Sequence, residues 1–322
     1  MNLGIEIGGT KLQLITGNEA GQIVQRFRYA VDPAQGAEGI LTQIAATIQQ
    51  LPEPPQAVGV GFGGPVDWKT GRIATSHQIG GWSGFELADW LRNQVPGATV
   101  RVENDANVAA LGEAVQGVAT GFQNVFYVTL GSGVGGGMII NGQIYHGAIP
   151  GEAEIGHLWL VPPSVDSPGV DSPGLDSPGQ TIEQTVSGWA VDKQIRELLS
   201  QLPDDSVLKK SVQQAHVRGS LGKEARFLHP AYEAGDPVAR MLIEQIGSVL
   251  ALGLSHVVHL FHPEAIVLGG GLSLIGEPLR AAVRQALPRF VMKAFHPVPI
   301  IFGAKLGEDT VPVGALVLAK NG

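Results

Sequence analysis

The stretch TLGSGVGGGMIINGQIYHG, residues 129–147, constrains the fold more than any other part of this 322-residue chain. Five of the seven residues from Gly131 to Gly137 are glycine, and they come after the apolar run NVFYVTLG. The apolar run indicates a buried strand that ends at a turn. Such a density of glycine lets the backbone bend sharply and bring its N–H groups close to an anion, most often a phosphate.

The meaning of these glycines depends on the secondary structure that comes after them. Gly131, Gly133 and Gly136 match the G-x-G-x-x-G pattern of dinucleotide-binding folds, but that pattern counts only when a helix comes next. Here MII, the dipeptide Asn141-Gly142 and QIY indicate two short strands joined by a two-residue hairpin turn. We therefore favour a phosphate loop that closes a β-hairpin, and an ordinary glycine-rich turn stays open as the alternative.

The composition is that of a soluble globular protein with enough residues for two domains. Hydrophobic residues make up 44% and charged residues 16% of the chain. The net charge of −8 and the absence of a basic stripe disfavour nucleic-acid binding. The chain has no cysteine, which excludes disulfides and thiolate metal sites. Glycines and Glu6 interrupt the first apolar run, so we expect no targeting signal, no membrane span and a cytoplasmic protein.

Apolar strands alternate with helical segments along the chain, which predicts an α/β fold. Residues 3–30 indicate a three-strand meander with a glycine turn at Gly8-Gly9-Thr10, in the same plan as residues 129–147. We interpret this similarity as an internal duplication, although two chance glycine turns would look the same. Two such hairpins facing each other would hold a phosphate tail from both sides.

The remaining elements are predicted from periodicity and proline. Helical spacing covers residues 36–50 and the segment around Leu87 to Leu91. The chain is predicted to be helical from Thr181 to about residue 262, with breaks near Pro203, Pro230 and Pro237. Helices are also expected for LRAAVRQALPRFV and for the terminal VPVGALVLAK, with PVPIIFGAKL as the last strand.

Two clusters of polar residues are candidates for chemistry. Glu103, Asn104 and Asp105 come after the strand TVRV, where they are either a helix cap or active-site groups. Glu152, Glu154 and His157 lie in GAIPGEAEIGH, and His157 is either a structural histidine or a ligand contact. Three tandem copies of VDSPG-like sequence, residues 165–179, come next and indicate an exposed loop or mobile flap, because proline and glycine recur every few residues.

The motifs together resemble those of the ROK family of sugar kinases. EIGGTK, VENDANVAALGEA, TLGSGVGGG, EIGH, VLGGG and the terminal LGED…VGALVLA stand in family order and at family spacing over nearly the whole chain. The resemblance implies a two-domain actin-like ATPase (ribonuclease H-like) α/β fold with a cleft between the domains. It implies a smaller domain of residues 1–121 with a C-terminal helix at about 308–322, a larger domain of residues 122–307, and a homodimer.

The resemblance also implies an activity, the ATP- and Mg²⁺-dependent phosphorylation of a hexose such as glucose at a hydroxyl group. Asp105 would be the general base, and the ring would be bound by Gly64, Asn104, Asp105, Glu154, His157 and Glu183. The two phosphate loops would be formed by Gly8, Gly9, Thr10 and Lys11 and by Gly131, Ser132 and Gly133. Gly269, Gly270 and Gly271 would lie near the adenosine, and Glu6 would make an indirect Mg²⁺ contact. Such chemistry rests on positioning and on charge neutralisation more than on covalent catalysis.

The chain departs from the family pattern in three places. The cysteine-rich zinc motif that usually comes after the EIGH histidine is missing, so no structural zinc is expected and His157 keeps a sugar-facing role. Glu6 replaces the usual aspartate of the first phosphate motif, which adds one methylene beside the Mg²⁺ position. Gln78 stands where the family usually has asparagine, which leaves the identity of the sugar open.

Two other functions are compatible with the same motifs. A kinase relative that binds sugar but has lost its activity would explain the missing zinc motif and Glu6. A sugar-responsive transcription regulator is disfavoured because this chain starts at its first strand, without a winged helix-turn-helix, and is acidic. The phosphoryl donor, ATP or polyphosphate, is also left open.

Overall fold

The computed structural model describes residues 1–18, 21–76, 79–161 and 179–320, which form fourteen strands and ten α-helices. The strands are Asn2–Ile7 (β1), Lys11–Gly17 (β2), Ile23–Ala30 (β3), Ala57–Phe62 (β4), Val66–Asp67 (β5), Arg72–Ile73 (β6), Thr99–Asn104 (β7), Val125–Leu130 (β8), Val134–Ile140 (β9), Gln143–Ile144 (β10), Trp159–Val161 (β11), Gln180–Thr181 (β12), Ala265–Gly269 (β13) and Ile300–Gly303 (β14). The helices are Gly36–Gln49 (α1), Leu87–Gln94 (α2), Asp105–Val115 (α3), Ile182–Val186 (α4), Gly188–Leu198 (α5), Val207–Val217 (α6), Leu228–Glu233 (α7), Pro237–Phe261 (α8), Glu277–Ala286 (α9) and Thr310–Lys320 (α10).

Two five-stranded sheets have the same strand order. The first is β3-β2-β1-β4-β7 and the second is β10-β9-β8-β13-β14. In the first sheet the meander β1-β2-β3 is antiparallel, whereas β4 and β7 are parallel to β1 and to each other. In the second sheet β9 and β10 are antiparallel and β13 and β14 are parallel. This repeated order supports the internal duplication that the two glycine motifs predict.

The hairpin after the central glycines has the turn that its sequence predicts. β9 comes directly after the glycine turn, so a strand and not a helix is next. Asn141 and Gly142 have φ of 53° and 74°. Positive φ at both central residues is the requirement of a type I′ turn, which asparagine and glycine satisfy best. The dinucleotide-binding interpretation therefore fails at this stretch.

The described residues divide into two compact units. The first contains Met1–Tyr127, Gly137–Ala153 and Ala304–Gly322, and the second contains Val128–Gly136 and Glu154–Gly303. The domain boundaries expected near residues 121 and 307 stay a prediction. Gln78 and residues 165–178 of the VDSPG copies lie outside the described residues.

In the first unit, backbones meet where α10 packs on β4 and α3. A β-carbon added at Gly59 of β4 would lie 2.0 Å from the Ala315 carbonyl oxygen, and one at Gly314 of α10 would lie 1.9 Å from the Val108 carbonyl oxygen. One at Gly112 of α3 would lie 2.7 Å from the Thr310 carbonyl oxygen. Since any side chain would collide with backbone at these points, glycine is what allows the contact.

Buried Glu113 ties the end of α3 to the start of α10 in the same unit. Its carboxylate accepts hydrogen bonds from the Val118 and Leu306 backbone N–H groups, at 2.8 and 2.9 Å, and from the Thr310 hydroxyl at 3.4 Å. A carboxylate with no exposed surface needs such donors to offset the loss of water. The terminal helix is therefore held by polar as well as apolar contacts.

Two helix boundaries in the second unit differ from those expected from proline. Pro230 lies in the first turn of α7, where its missing N–H costs nothing, and the break falls instead at 234–236. α9 ends at Ala286, because the chain tightens into a 3₁₀ turn at Leu287–Arg289 around Pro288. The break expected near Pro237 lies just before it, because Pro237 opens α8 as the first helical residue.

α8 is long and apolar enough, by length and composition alone, to cross a membrane, and 61% of its most apolar window is buried inside the protein. Leu242, Ile246, Leu250 and Leu254 are among its buried residues and recur at the helical period. This burial is typical of the core helix that the sequence predicts.

The close contact between β4 and α10 predicts that Gly59→Ala will be strongly destabilising. The new methyl group meets the Ala315 carbonyl and the Ala319 N–H, and neither backbone can move without disrupting α10. We expect a loss of at least about 3 kcal/mol of unfolding free energy, measured by urea denaturation.

Gly80→Ala is the matched control for this variant, because a β-carbon there meets no atom within 4 Å. Its stability should stay within about 0.5 kcal/mol of the parent. Equal stability of the two variants would contradict the packing described for β4 and α10.

Candidate active site

The first glycine turn, between β1 and β2, carries an ion pair at its base. The Gly8 N–H donates to the Lys11 carbonyl at 3.0 Å, which closes the turn. Glu6 Oε2 accepts from Gln13 Nε2 at 2.8 Å and pairs with Lys11 Nζ at 3.1 Å. Thr10 is exposed at the tip. The turn therefore presents backbone N–H groups, a hydroxyl group and one lysine, and Glu6 is engaged by two neighbours.

Asp105 lies beside this turn. It is the first residue of α3, at the helix end where the N–H groups favour a negative charge. A β-carbon at Gly63 would lie 3.5 Å from Asp105 Oδ2, 3.4 Å from the Ile7 carbonyl oxygen and 3.8 Å from the Gly8 Cα. The Asp105 carboxylate and the start of the first glycine turn therefore both lie within contact distance of one point beside Gly63.

Asn104 is the residue that orients Asp105. Its Oδ1 accepts from the Ala106 and Asn107 N–H groups, at 2.8 and 3.3 Å, and so caps α3. Its Nδ2 donates to the Gly64 carbonyl at 3.1 Å. Because one amide joins the helix start to the segment after β4, Asn104 fixes Asp105 and Gly64 relative to each other.

In the second unit, the central glycine turn closes on itself and on the start of α5. The Gly131 N–H donates to the Gly133 carbonyl at 2.9 Å, and the Gly188 N–H donates to the Gly131 carbonyl at 2.7 Å. Glu183 Oε2 accepts from the Val134 N–H at 2.9 Å, and a β-carbon at Gly133 would lie only 2.6 Å from that oxygen. Glu183 therefore lies directly on the turn.

The EIGH segment, residues 154–157, packs against the start of β9. Ile155–His157 form a 3₁₀ turn, in which the His157 N–H donates to the Glu154 carbonyl at 3.1 Å and the His157 side chain is exposed. A β-carbon at Gly156 would lie 2.1 Å from the Val134 carbonyl oxygen, so only glycine fits there. Ala153, just before the segment, has a φ of 61°, a left-handed conformation that a non-glycine residue rarely adopts.

The third glycine segment, Gly269 to Gly271, lies against the strand that leads into the central glycine turn. Gly270 has a φ of 80°, and a β-carbon there would lie 2.6 Å from the backbone of Leu130, the last residue of β8. The second unit therefore brings the glycines after β13 against the strand that leads into Gly131. Both predicted nucleotide-binding segments of this unit are in this way adjacent.

Each predicted residue has a definite place in one of the two units. The first unit holds Glu6, Gly8, Gly9, Thr10, Lys11, Gly64, Asn104 and Asp105. The second holds Gly131, Ser132, Gly133, Glu154, His157, Glu183, Gly269 and Gly270. Most of these residues lie at strand ends and at the glycine turns, which is where ligands bind in open α/β sheets. Glu154 and His157 belong instead to a 3₁₀ turn, and Glu183 belongs to α4.

One group of residues near Asp105 is not predicted as a unit by the sequence. Glu103 Oε1 and His146 Nε2 are 2.6 Å apart, and the His146 ring stacks on Trp68 with centroids 4.1 Å apart. Glu152 Oε1 accepts from Asn107 Nδ2 at 2.8 Å. Glu103 and Glu152 stand out as carboxylates in the sequence, but no local pattern connects them with His146 or Trp68.

Comparisons with known proteins show the family of this chain. The profile of the ROK family matches residues 2–322. A glucokinase of Streptomyces coelicolor is 30% identical over 100% of this chain and 98% of its own length, and one of Thermotoga maritima is 29% identical over 99% and 97%. The solved structure of a ROK family glucokinase from Streptomyces griseus, in complex with glucose and AMPPNP, has a TM-score of 0.80 and 32% identity, and the match covers 100% of this chain and 99% of that chain.

The repeated sheets, the glycine turns and these similarities define a sugar kinase with the two-domain actin-like α/β fold. The chain belongs to the ROK family. The resemblance inferred from its motifs is thus confirmed over its whole length.

The contact between Gly133 and Glu183 predicts an energetic coupling between these two residues. Gly133→Ala should push the Glu183 carboxylate off the Val134 N–H and destabilise the protein by about 1–2 kcal/mol. Combined with Glu183→Ala, the same methyl group meets no carboxylate and should add little further destabilisation.

A double-mutant cycle measured by thermal unfolding determines this coupling, which we expect to be at least about 0.5 kcal/mol. Strictly additive effects of the two substitutions would show that Glu183 does not lie on the turn.

Proposed function

We propose that the chain transfers the terminal phosphoryl group of ATP to a hydroxyl group of a hexose, glucose or a closely related sugar. The observation that carries this proposal is the position of the Asp105 carboxylate beside Gly63 and the first glycine turn. The glucose and AMPPNP bound to the Streptomyces griseus relative support the choice of sugar and nucleotide.

Asp105 is proposed as the general base that accepts the proton of the attacking hydroxyl group. The N-terminus of α3 stabilises its ionised form, and Asn104 fixes its backbone, so the carboxylate is presented in one orientation. A base held in this way contributes typically about 10²–10⁴-fold to the rate.

Six residues are proposed to bind the sugar: Gly64, Asn104, Asp105, Glu154, His157 and Glu183. Carboxylates accept hydrogen bonds from hydroxyl groups, and the amide and imidazole groups can donate as well as accept. Glu154 and His157 lie at the two ends of one rigid turn that Gly156 packs onto β9, so their spacing is fixed before a sugar binds.

The nucleotide is proposed to bind at the glycine turns, Gly8, Gly9, Thr10 and Lys11 in one unit and Gly131, Ser132 and Gly133 in the other, with Gly269 and Gly270 beside the adenosine. The fit rests on the chemistry of these segments, because they offer backbone N–H groups, hydroxyl groups and one lysine to an anion. When bound, Mg-ATP supplies the phosphoryl group and a metal charge that neutralises its oxygens. Glu6, held by Lys11 and Gln13, is proposed to contact that metal indirectly.

The proposal also includes the oligomeric state, the cellular location and the zinc content of the protein. We propose a homodimer, on the basis of the family resemblance, and a cytoplasmic location, which the cysteine-free composition suits. No structural zinc is proposed at His157, because the chain has no cysteine to complete the usual motif.

Asp105→Asn tests the role of the base. The amide keeps the shape of the side chain but cannot accept the proton, so kcat should fall by about 10²–10⁴-fold. Sugar affinity should fall much less than kcat, because the amide oxygen still accepts a hydrogen bond from the sugar. ADP release measures kcat, and calorimetry with the sugar measures affinity.

Asp89→Asn is the control, since Asp89 is an exposed acid of the same unit that pairs only with Arg92 among the described contacts. Its kcat should equal that of the parent. An Asp105→Asn enzyme as fast as the control would remove Asp105 from the reaction.

A panel of sugars and donors tests the reaction itself. ADP release from ATP should require a sugar and should be fastest with glucose or a sugar that differs from it at one position, with amino sugars and mannose in the same panel. Polyphosphate in place of ATP, with formation of sugar phosphate as the readout, identifies the donor. Sugar binding without phosphoryl transfer from either donor would instead favour a relative that has lost its activity.

A further inference from the structure

Three potential metal ligands of the first unit lie close together, and one of them, Glu103, is two residues before Asp105 in the chain. Glu103, His146 and Glu152 each offer one ligand atom, and these atoms lie within 4.8 Å of one another. Glu103 is 6% exposed, and the other two residues are half-buried. They come from the end of β7 and from the segment after β10, so the fold and not the local sequence brings them together.

A buried oxygen without a partner lies next to these ligands. Asn107 is 2% exposed, and its Oδ1 has no hydrogen-bond partner among the described residues. The Nδ2 of the same planar amide donates to Glu152 Oε1 at 2.8 Å, so the Asn107 side chain contacts the group, and its oxygen would have to turn toward the ion to bind it. A buried carbonyl oxygen without a donor costs about 1–3 kcal/mol, and a cation would satisfy it.

The donor set selects the kind of cation. Two carboxylates, one imidazole and one amide oxygen are oxygen and nitrogen ligands, which suit Mn²⁺, Co²⁺ and Zn²⁺ better than Ca²⁺ or Mg²⁺ because of the imidazole. Metal–ligand bonds of about 2.0–2.2 Å place neighbouring ligand atoms of a tetrahedral site about 3.3–3.6 Å apart. The 2.6 Å pair of His146 and Glu103 must therefore open by about 1 Å, and Glu152 must approach.

The residues around the three ligands hold the His146 ring in place and leave a path from the surface for a metal ion. The His146 ring is held by stacking on Trp68, with an angle of 15° between the planes, which restricts its rotation. Glu103, His146 and Trp68 also line a surface depression of the first unit, from which an ion can reach the group.

From these observations we infer that Glu103, His146 and Glu152, with the Asn107 amide oxygen, bind one divalent first-row transition-metal ion. The ion would join the residue before Asn104 and the first turn of α3 to the 146–152 segment. The ion would in this way fix the junction between β7 and α3, where Asp105 lies, without touching the substrate. This site is separate from the missing cysteine motif, and its test does not depend on the proposed kinase activity.

A second histidine–glutamate pair shows what distinguishes the proposed site. His216 Nε2 and Glu224 Oε1 are 2.8 Å apart, but the other oxygen of Glu224 is already paired with Arg196 at 2.6 Å. Burial alone would raise the pKa of Glu224, yet the His216 contact, the Gly222 N–H and Arg196 together hold that pKa below its usual range. The arginine supplies the positive charge there, so no metal is expected and His216 serves as a matched control.

The test is a titration of the chelator-treated full-length protein with Co²⁺, monitored by its visible absorption and by competition with Zn²⁺. We expect one Co²⁺ per chain, displaced by Zn²⁺, and a rise in the thermal midpoint when Zn²⁺ is present, because the ion binds only the folded state. His146→Gln and Glu152→Gln should each weaken binding by at least about 10-fold, whereas His216→Gln should leave it unchanged.

Two results would overturn the inference. One is a folded parent protein that shows neither the absorption nor the thermal shift with Co²⁺ or Zn²⁺. The other is binding of equal affinity in the parent and in a variant of His146 or Glu152 whose circular dichroism is native. If both variants fail to fold, the titration of the parent protein alone decides whether the ion binds.

Discussion

The contact of backbone with backbone at Gly59, Gly112 and Gly314 is the constraint on which the first unit depends. It lets α10 lie against β4 and α3 at a distance that no side chain would permit. Because α3 is seated by this contact along its length, its N-terminus has one position. The carboxylate proposed as the base stands on that terminus, so a packing requirement in the core fixes the position of a group in the candidate active site.

Asn104 shows that a helix cap can also position its neighbours in the candidate active site. The sequence leaves both roles open for the polar residues after β7, and the structure shows the amide capping α3 with its oxygen and holding Gly64 with its nitrogen. A cap stabilises a helix by about 1 kcal/mol. Here it also sets the direction of Asp105, because the capping residue is its immediate neighbour in the chain.

The sequence predicts much of the fold because the determining signals are local. The Asn141-Gly142 turn, the meander of residues 2–30 and the start of α8 at Pro237 each arise from the backbone preferences of the residues themselves. Proline is less informative at residue 230, where it lies in a first helical turn that tolerates it. The ordered motifs identify the family; EIGGTK and TLGSGVGGG lie at glycine turns, whereas VENDANVAALGEA and VGALVLA lie largely in α3 and α10.

The candidate site is less predictable where it depends on contacts between distant residues. Glu103 and His146 are 43 residues apart, and no periodicity relates them. The position of Glu183 on the central glycine turn depends on how α4 packs, which its sequence alone does not state. The resemblance to a family names Glu183, but only the structure shows that its carboxylate accepts from the Val134 N–H.

The left-handed conformation of Ala153 has a consequence for Glu154, the next residue. An alanine held there costs about 1–2 kcal/mol of backbone energy that a glycine would not incur. A glycine, however, would allow this stretch many more shapes in the absence of a ligand. The alanine instead restricts the backbone beside Glu154 before any ligand is present. If Glu154 binds the sugar as proposed, less entropy is lost on binding, at the expense of some folding stability.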